Sequence, residues 1–294
     1  MRVGVTGASG FVGQHVCAAL QADGHQVVRI GRGSDADVQW NPAKGEIDAA
    51  KCVGIDAFVH LAGANVGERW TREHKMAIRD SRVDGTALIA RTAAALSPRP
   101  RVLVCASAVG IYGDAGDTVC DELAHTGTDF LSVVGRAWEA AAYEARDAGI
   151  RTVHLRFGVV LSRHGGALAK MLPAFRLGGG GELGSGRQWM SWVAMEDAVG
   201  IVRFALANAD LSGAVNAVAP MPVTNAEFTR TLAKVLQRPA HFPVPEFALK
   251  LMFGEMAQAT LLVSQRVIPR VLLAAGFAFR HSTLESALRA AVHE

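Results

Sequence analysis

The chain has 294 residues, of which 50% are hydrophobic and 19% are charged, and its formal net charge is +3. These values exclude a disordered chain, and the length fits one large domain with a smaller lobe. Lysines and arginines form no basic run, so we expect neither a nucleic-acid partner nor a membrane partner.

The first part of the chain alternates between short β-branched runs and longer helical stretches. The predicted strands are Val3–Thr6, Gln26–Ile30, Ala57–Leu61, Val102–Ala106 and Thr152–Phe157. The predicted helices are Val12–Ala22, Arg72–Leu96 and Phe130–Ala148, and each is followed by Gly or by Ser-Pro. Such residues end helices. The alternation predicts βαβ units in an α/β fold with a doubly wound parallel sheet of the Rossmann type.

The second part of the chain has a different pattern. Residues 177–186 are rich in glycine and are either a flexible surface linker or a loop near a cleft. A helix is predicted to start near Glu196, followed by a strand at Ala214–Ala219. Thr224 has the position of an N-cap for a helix at Asn225–Gln237. From Pro239 onward the pattern is helical and interrupted by prolines.

These elements predict two parts of unequal size. Residues 1–160 form the dinucleotide-binding core, and residues 190–220 add to it. Residues 161–294 form a smaller, mainly helical substrate lobe, with a helical C-terminal segment at 240–294.

The four cysteines, Cys17, Cys52, Cys105 and Cys120, are far apart and form no C-x-x-C pair. We expect buried free thiols and no metal site. The N-terminus enters a strand directly, without a signal-peptide pattern. No uninterrupted apolar stretch reaches about 18 residues. The expectation is a cytoplasmic protein.

A glycine turn between the first strand and the first helix is the main functional motif. Parallel sheets bind dinucleotides at this point, where glycines allow a tight turn and the helix N-terminus meets the pyrophosphate. The alternative is an ordinary tight βα turn. We predict cofactor contacts at Gly7, Ser9, Gly10, Phe11, Val12 and Gly13.

The end of the second strand favours NADP(H) over NAD(H). An NAD site usually has a carboxylate here for the adenine ribose. This chain has Gly31-Arg32 instead, and an arginine pairs with a 2′-phosphate. The alternative is that Arg32 is an exposed loop residue without a ligand.

Further motifs connect the chain with a known superfamily. They are Gly-x-x-Gly-x-x-Gly in the first turn, His60-Leu61-Ala62-Gly63, Val83-Asp84-Gly85-Thr86, and Ser107–Gly113 with its Tyr112-Gly113 pair. With them the chain resembles the extended short-chain dehydrogenase/reductase superfamily, which includes nucleotide-sugar epimerases. The resemblance places Leu61, Ala62 and Gly63 at the cofactor.

Longer strings narrow the resemblance to one atypical, epimerase-like branch. They are Arg69-Trp70-Thr71, Lys170–Gly178, Gly184–Gln188 and Ala275–Arg280, the last of which is similar to a C-terminal domain of unknown function. The resemblance spans nearly the whole chain. It implies an NADP(H)-binding protein related to nucleoside-diphosphate-sugar epimerases, without an assigned substrate.

The superfamily's catalytic Tyr and Lys, four residues apart, are missing. The Lys lowers the pKa of the Tyr in such a pair. Four residues after Tyr143 stands Asp147, and four after Tyr112 stands Gly116. The positions where the pair is expected hold Phe130 and Val134.

Two further positions also depart from the superfamily pattern. Ala108 occupies the usual Ser/Thr position, and Arg82 stands where Asn is usual. Ser107 and Tyr112 are the remaining catalytic candidates, because both follow the carboxyl end of a strand at the crevice. They could instead cap backbone or pack under the nicotinamide. Glu139 is read as a solvated helix carboxylate rather than a base.

Arg156, Arg187, Trp189 and Trp192 are the predicted substrate residues. Arginine can grip a phosphate or carboxylate, and tryptophan can stack on a base or sugar. The alternatives are core packing for the two tryptophans and a structural ion pair for Arg156.

The leading hypothesis is an NADP(H)-dependent oxidoreductase or epimerase-like enzyme. Its substrate is an unidentified small molecule, with nucleotide-linked compounds among the candidates. The alternative is a non-catalytic NADP(H)-binding sensor or regulatory protein, because the Tyr/Lys pair is missing. We expect a monomer or a homodimer.

Overall fold

The computed structural model of the protein describes residues 1–293. Its strands are β1 (Arg2–Thr6), β2 (Gln26–Gly31), β3 (Val38–Asn41), β4 (Glu46–Ile47), β5 (Ala57–His60), β6 (Val102–Ala108), β7 (Val119–Cys120), β8 (Arg151–Phe157), β9 (Val159–Leu161), β10 (Trp189–Met190), β11 (Trp192–Ala194), β12 (Gly213–Ala217), β13 (Val223–Thr224) and β14 (Arg266–Val267). Its α-helices are α1 (Gly13–Ala22), α2 (Ala49–Cys52), α3 (Arg72–Ala95), α4 (Phe130–Ala140), α5 (Tyr143–Asp147), α6 (Gly166–Arg176), α7 (Met195–Ala207), α8 (Asn225–Leu236), α9 (Glu246–Phe253), α10 (Arg270–Ala274) and α11 (Leu284–His293).

Eight strands form the main sheet, in the order β12-β8-β6-β5-β1-β2-β3-β4. Neighbouring strands are parallel except β3 and β4, which are antiparallel. The chain moves outward from β1 through β2, then returns to the other side of β1 and continues through β5. This reversal opens a crevice at the carboxyl ends of β1 and β5. The predicted doubly wound Rossmann-type sheet is confirmed.

Helices cover both faces of this sheet. On one face, Val16 of α1 and Ile201 of α7 pack with Val5 and Val104 of the central strands. On the other face, α3 and α5 pack over a second cluster that contains Phe58. Strands buried on both faces are continuously apolar, which explains why the sequence pattern located them.

Side-chain caps fix the starts of three helices. Thr71, Asp129 and Thr224 each accept a hydrogen bond from the backbone N–H three residues later, so the predicted N-cap at Thr224 is confirmed. The predicted helix Phe130–Ala148 is wrong in one respect, because it is interrupted after Ala140 and continues as α5.

The second lobe contains elements that the sequence pattern did not reveal. Helix α6 has Pro173 in its interior, and proline usually ends a helix. A third cluster joins α6, α8 and α11 around Trp192.

The glycine-rich segment at 177–186 lies beside residues 240–244 and is held by backbone hydrogen bonds. Phe242 N–H donates to the Gly180 carbonyl at 3.1 Å, and Val244 N–H donates to the Glu182 carbonyl at 2.8 Å. A Cβ on Gly181 would lie 2.0 Å from the Phe242 oxygen, so the close approach of the two segments requires glycine there.

Helix α7 packs against the main sheet and β12 forms one of its edges, while the domain division at residue 160 stays a prediction. The four cysteines are buried free thiols, as predicted. Within residues 1–293, none of the helices has the length and apolar character needed to cross a membrane.

Candidate functional site: a dinucleotide crevice

The turn between β1 and α1 has no space for side chains at its glycines. Gly7 has a φ of +66°, and a Cβ there would lie 2.8 Å from the backbone nitrogen of Ala62. Gly10 N–H donates to the Gly7 carbonyl at 2.9 Å. A Cβ on Gly13 would lie 2.0 Å from that carbonyl oxygen, so Gly13 lets the helix approach the turn itself. No side chain caps α1, which leaves its N-terminus to a ligand.

A buried pair of side chains holds the end of β5 against this turn. The Thr6 hydroxyl lies 2.7 Å from Nδ1 of His60 and accepts hydrogen bonds from the N–H groups of Leu61 and Ala62 at 3.2 and 3.3 Å. His60 is fully buried. Burial, and then the charge of Arg82, lower the pKa of His60 to about 4. The imidazole is therefore neutral at pH 7.

The turn opens into a crevice of about 940 Å³. Of the predicted cofactor residues, its wall contains Gly7, Ser9, Gly10, Arg32, Leu61, Ala62 and Gly63. Three others, Phe11, Val12 and Gly13, lie outside the wall. The Phe11 ring instead packs against Gly165 and Gly166 at the start of α6.

Two arginines and one carboxylate lie at the β2 end of the crevice. Arg29, Arg32 and Asp35 all line it. Among residues 1–293, neither guanidinium forms an ion pair. Sequence reasoning missed Arg29 and Asp35. The alternation of β2 contained the signal for Arg29, because its neighbours Val28 and Ile30 are buried while it is exposed.

The crevice wall also includes Trp40, Asn41 and Pro42. They were missed because β3 is short and was not predicted. Helix α3 adds Ser81 and Asp84.

Ser107 and Tyr112 do not line the crevice but belong to a buried network. Ser107 Oγ donates to Glu139 Oε1 at 2.7 Å. Arg156 donates from Nε and Nη2 to the two Glu139 oxygens, both at 2.8 Å. The Tyr112 hydroxyl accepts from Arg156 Nη1 at 2.9 Å and donates to Asn216 Oδ1 at 2.7 Å.

The charges in this network are set by burial and by the ion pair. Burial raises the pKa of Tyr112 to about 12, although Arg156 and Asn216 oppose it. Burial also acts against ionisation of Glu139, but the hydrogen bonds and charge of Arg156 outweigh it and lower the pKa of Glu139. At pH 7 the carboxylate is ionised and the phenol is protonated. The interpretation of Glu139 as solvated is wrong, because its side chain is only 15% exposed.

The four predicted substrate residues do not form one wall. Trp192 is fully buried, and its Nε1–H donates to the Met221 carbonyl at 3.0 Å. A ring with no exposed surface cannot stack on a ligand, so this prediction is wrong and the core alternative holds. Arg156 is held by its ion pair, which was also the alternative.

Arg187 and Trp189 stay predictions. Arg187 is exposed. The Trp189 Nε1–H donates to Asp117 Oδ1 at 2.8 Å, and the guanidinium of Arg266 lies 4.2 Å from the ring centroid.

A lysine of α3 lies beside Phe130, the residue that stands where the superfamily has its catalytic Tyr. Phe130 is the first residue of α4, and Lys75 Nζ lies 4.4 Å from its ring centroid. Lys75 also pairs with both carboxylate oxygens of Glu255, at 2.7 and 3.0 Å. Sequence reasoning missed this arrangement, because the three residues are far apart in the chain.

Throughout the part of the chain that the structure describes, no group of three or more His, Cys, Asp or Glu side chains could hold a metal ion.

Family models match most of the chain. The model described as the NAD dependent epimerase/dehydratase family matches residues 3–218, and a domain of unknown function matches residues 244–291. An epimerase family protein of Mycobacterium bovis is 43% identical over 290 residues, which cover 97% of this chain and 96% of the relative. The epimerase family protein SDR39U1 of Homo sapiens is 36% identical over 294 residues, with 98% and 99% covered.

Solved structures agree with these matches. The crystal structure of the human epimerase family protein SDR39U1 (isoform 2) with NADPH has a TM-score of 0.93 and 35% identity, and 100% of each chain is covered. A nucleoside-diphosphate sugar epimerase from Corynebacterium glutamicum has a TM-score of 0.81 and 36% identity, over 99% of this chain and 58% of that one. The resemblance indicated by the sequence motifs, including the C-terminal domain, is confirmed.

Proposed function

Because this chain belongs to the NAD dependent epimerase/dehydratase family, we propose that it binds NADP(H) and acts as an oxidoreductase or epimerase-like enzyme. The substrate is a small molecule, and nucleotide sugars are among the candidates. The observation that carries the proposal is the crevice at the glycine turn, with Arg29 and Arg32 at its β2 end. The similar human protein was solved with NADPH, which supports the choice of cofactor.

The residues present fit a phosphorylated dinucleotide. Gly7 and Gly10 have no side chains, and this leaves the backbone of the turn accessible to the pyrophosphate at the N-terminus of α1. Arg32, with Arg29 beside it, would hold the 2′-phosphate through charge-assisted hydrogen bonds. Bound NADP(H) supplies or accepts a hydride at its nicotinamide.

The proton that accompanies hydride transfer must come from a group other than the superfamily's usual hydroxyl groups. Ala108 and Phe130 stand where the superfamily has hydroxyl groups, and neither can donate or accept a proton. Tyr112 is a poor acid at pH 7, because burial raises its pKa to about 12. Ser107 and Tyr112 remain candidates only if the network opens to the substrate.

The burial of Ser107 and Tyr112 favours a second candidate, a non-catalytic NADP(H)-binding sensor. In that case the crevice binds the dinucleotide and no turnover follows. A cytoplasmic location and a monomeric or homodimeric assembly remain predictions from the sequence.

The cofactor is tested by dissociation constants for NADPH and NADH. We expect NADPH to bind more tightly. Arg32→Ala should weaken NADPH binding by roughly 10- to 100-fold, because a hydrogen bond to a charged group contributes about 1.5–3 kcal/mol, and should leave NADH binding unchanged. Arg230→Ala is the matched control, since Arg230 is an exposed arginine on α8. Equal constants for the two cofactors, or no loss with Arg32→Ala, would contradict the proposal.

Turnover separates the two candidates. NADPH oxidation is measured against a panel of carbonyl compounds and nucleotide sugars. Turnover that disappears with Ser107→Ala or Tyr112→Phe would exclude the sensor. No oxidation across the panel would count against the enzyme.

A further inference from the structure

Lys75 brings an ammonium group to the ring of Phe130, with its Nζ 4.4 Å from the ring centroid. The first turn of α3 fixes where this side chain begins, because the Lys75 N–H donates to the carbonyl of the N-cap residue Thr71 at 3.0 Å. The Trp70 ring packs at 66° to Phe130, with 5.2 Å between the centroids. Phe130 is thus in contact with both an indole and an ammonium group.

The ammonium group is oriented by Glu255 and keeps one donor in reserve. An ammonium has three N–H donors. Lys75 Nζ donates to the two carboxylate oxygens of Glu255 at 2.7 and 3.0 Å. Within residues 1–293 it donates no third hydrogen bond. One N–H of an oriented ammonium group is therefore available to a ligand.

Lys75 can be reached from outside, in contrast to the two hydroxyl candidates. Its side chain is 31% exposed. Ser107 and Tyr112 are each only 3% exposed, and their hydroxyls donate to Glu139 and Asn216. A general acid must come within hydrogen-bond distance of the reacting group. Lys75 meets this condition without any opening of the buried network.

Lys75 lies where the core that carries the crevice meets the C-terminal domain. Residues 61–64 and Ser81 of α3 line the crevice, and the Ala64 N–H donates to Ser81 Oγ at 2.9 Å. The same loop continues to Arg69, whose Nη1 donates to the Leu251 carbonyl of the C-terminal domain at 3.3 Å. Ligand sites occur preferentially at such boundaries. A substrate beside the dinucleotide would contact both parts here.

We propose that Lys75 is the general acid that protonates the oxygen of a carbonyl substrate. This inference rests on the proposed NADP(H)-dependent oxidoreductase activity and names its proton donor. Lys75 Nζ gives a proton to the carbonyl oxygen while the carbonyl carbon accepts a hydride from NADPH. The N–H bond and the C=O π bond break, and a C–H and an O–H bond form. The carbonyl is reduced to an alcohol, NADPH is oxidised to NADP⁺, and neutral Lys75 recovers a proton from water.

Two substitutions separate proton donation from a structural role of the ion pair. NADPH oxidation is measured with the carbonyl compounds that the wild type reduces. We expect Lys75→Ala to lower kcat by about 100-fold or more and to leave the dissociation constant of NADPH unchanged. Lys75→Arg keeps the charge and can pair with Glu255, but arginine is not deprotonated in proteins. It should therefore fold with a wild-type melting temperature and lose kcat as strongly.

A small amine should replace the missing group. Ethylamine added to Lys75→Ala should raise kcat by about tenfold or more, an effect that a merely structural lysine would not produce. Lys234→Ala is the matched control, because Lys234 also pairs with a glutamate of the C-terminal domain, Glu285, at 2.8 Å, and is 66% exposed. Its kcat should equal that of the wild type, with and without ethylamine.

Chemical labelling tests the contact independently of turnover. Lysines of the wild type are acetylated with an N-hydroxysuccinimide ester, and the rate at each lysine is followed by peptide mass spectrometry. An active carbonyl compound together with NADP⁺, which cannot donate a hydride, should slow acetylation of Lys75 several-fold relative to NADP⁺ alone. Acetylation of Lys234 should not change. Equal rates at Lys75 under the two conditions would contradict a contact between Lys75 and the substrate.

The outcomes distinguish this inference from the proposed function. Wild-type turnover that persists in Lys75→Ala, or that Lys75→Arg restores, would overturn the role of Lys75 and leave the oxidoreductase in place. If Lys75→Ala does not fold, Lys75→Arg decides the case. Wild-type protein that binds NADPH and reduces none of the carbonyl compounds would overturn the enzyme together with its proton donor, and would favour the sensor.

Discussion

Loss of one partner of the buried ion pair between Glu139 and Arg156 should strongly destabilise the fold, and Glu139→Gln tests this. The carboxylate accepts three hydrogen bonds, two from Arg156 and one from Ser107. The side chains are 15% and 8% exposed. Glutamine keeps the size of the side chain but turns an amide NH₂ toward a guanidinium, leaving the Arg156 charge without compensation.

Removing one partner of a buried ion pair costs about 3–5 kcal/mol. For Glu139→Gln we expect the free energy of unfolding to decrease by about 3 kcal/mol, the lower end of this range, because the glutamine oxygen keeps part of the hydrogen bonding. Glu246→Gln is the control. Its ion pair with Lys250 has both side chains about half exposed, at 54% and 48%, and such pairs contribute less than about 1 kcal/mol.

The assay is urea-induced unfolding at pH 7, followed by tryptophan fluorescence. A decrease no larger than that of Glu246→Gln would refute the expected cost of leaving the Arg156 charge uncompensated. The pH dependence provides a second test. Because the pKa of Glu139 is lowered from its usual 4.5, the stabilisation is present above that value and is lost as the pH falls further. The wild type should lose this increment in acid, and Glu139→Gln should not.

Two other substitutions test the turn and its support. Gly13→Ala places a Cβ 2.0 Å from the Gly7 oxygen, so we expect at least tenfold weaker NADPH binding by fluorescence titration. Gly200→Ala is the control, because its Cβ would meet Phe277 at 3.4 Å, and it should bind NADPH normally. Equal NADPH binding by the two variants would contradict the requirement for glycine at position 13. The pKa of His60 is lowered to about 4 from 6.5, so the unfolded chain binds the proton first and stability should fall between pH 6.5 and 4. The difference between the urea midpoints at pH 7 and pH 5 should be smaller in His60→Gln than in the wild type. An equal difference in the two proteins would show that His60 is not responsible for the pH dependence.

The amino-acid sequence determined the sheet, the cofactor turn and most helix starts, because each depends on neighbours within a few residues. Buried parallel strands are short continuous apolar runs. Thr224 caps α8 by accepting a hydrogen bond from the N–H of Glu227, three residues later in the chain. The glycine turn could be located because a strand, three glycines and a helix follow one another. The short strand β3 and the proline-containing helix α6 were not predicted from the sequence, because their local patterns are weak or contradictory.

Only the tertiary structure decided what the polar residues do. The hydroxyl of Tyr112 meets Asn216, 104 residues away, and Lys75 meets Glu255, 180 residues away. The local sequence does not show whether a polar side chain will meet such a partner or solvent, because the free energy of a buried charge depends on groups that the fold brings together. The Arg82 side chain is a case of the same kind. Its position in the sequence shows a departure from the superfamily, and only the packing of α3 against Gly63 and Trp138 places its charge behind Gly63, which lines the crevice.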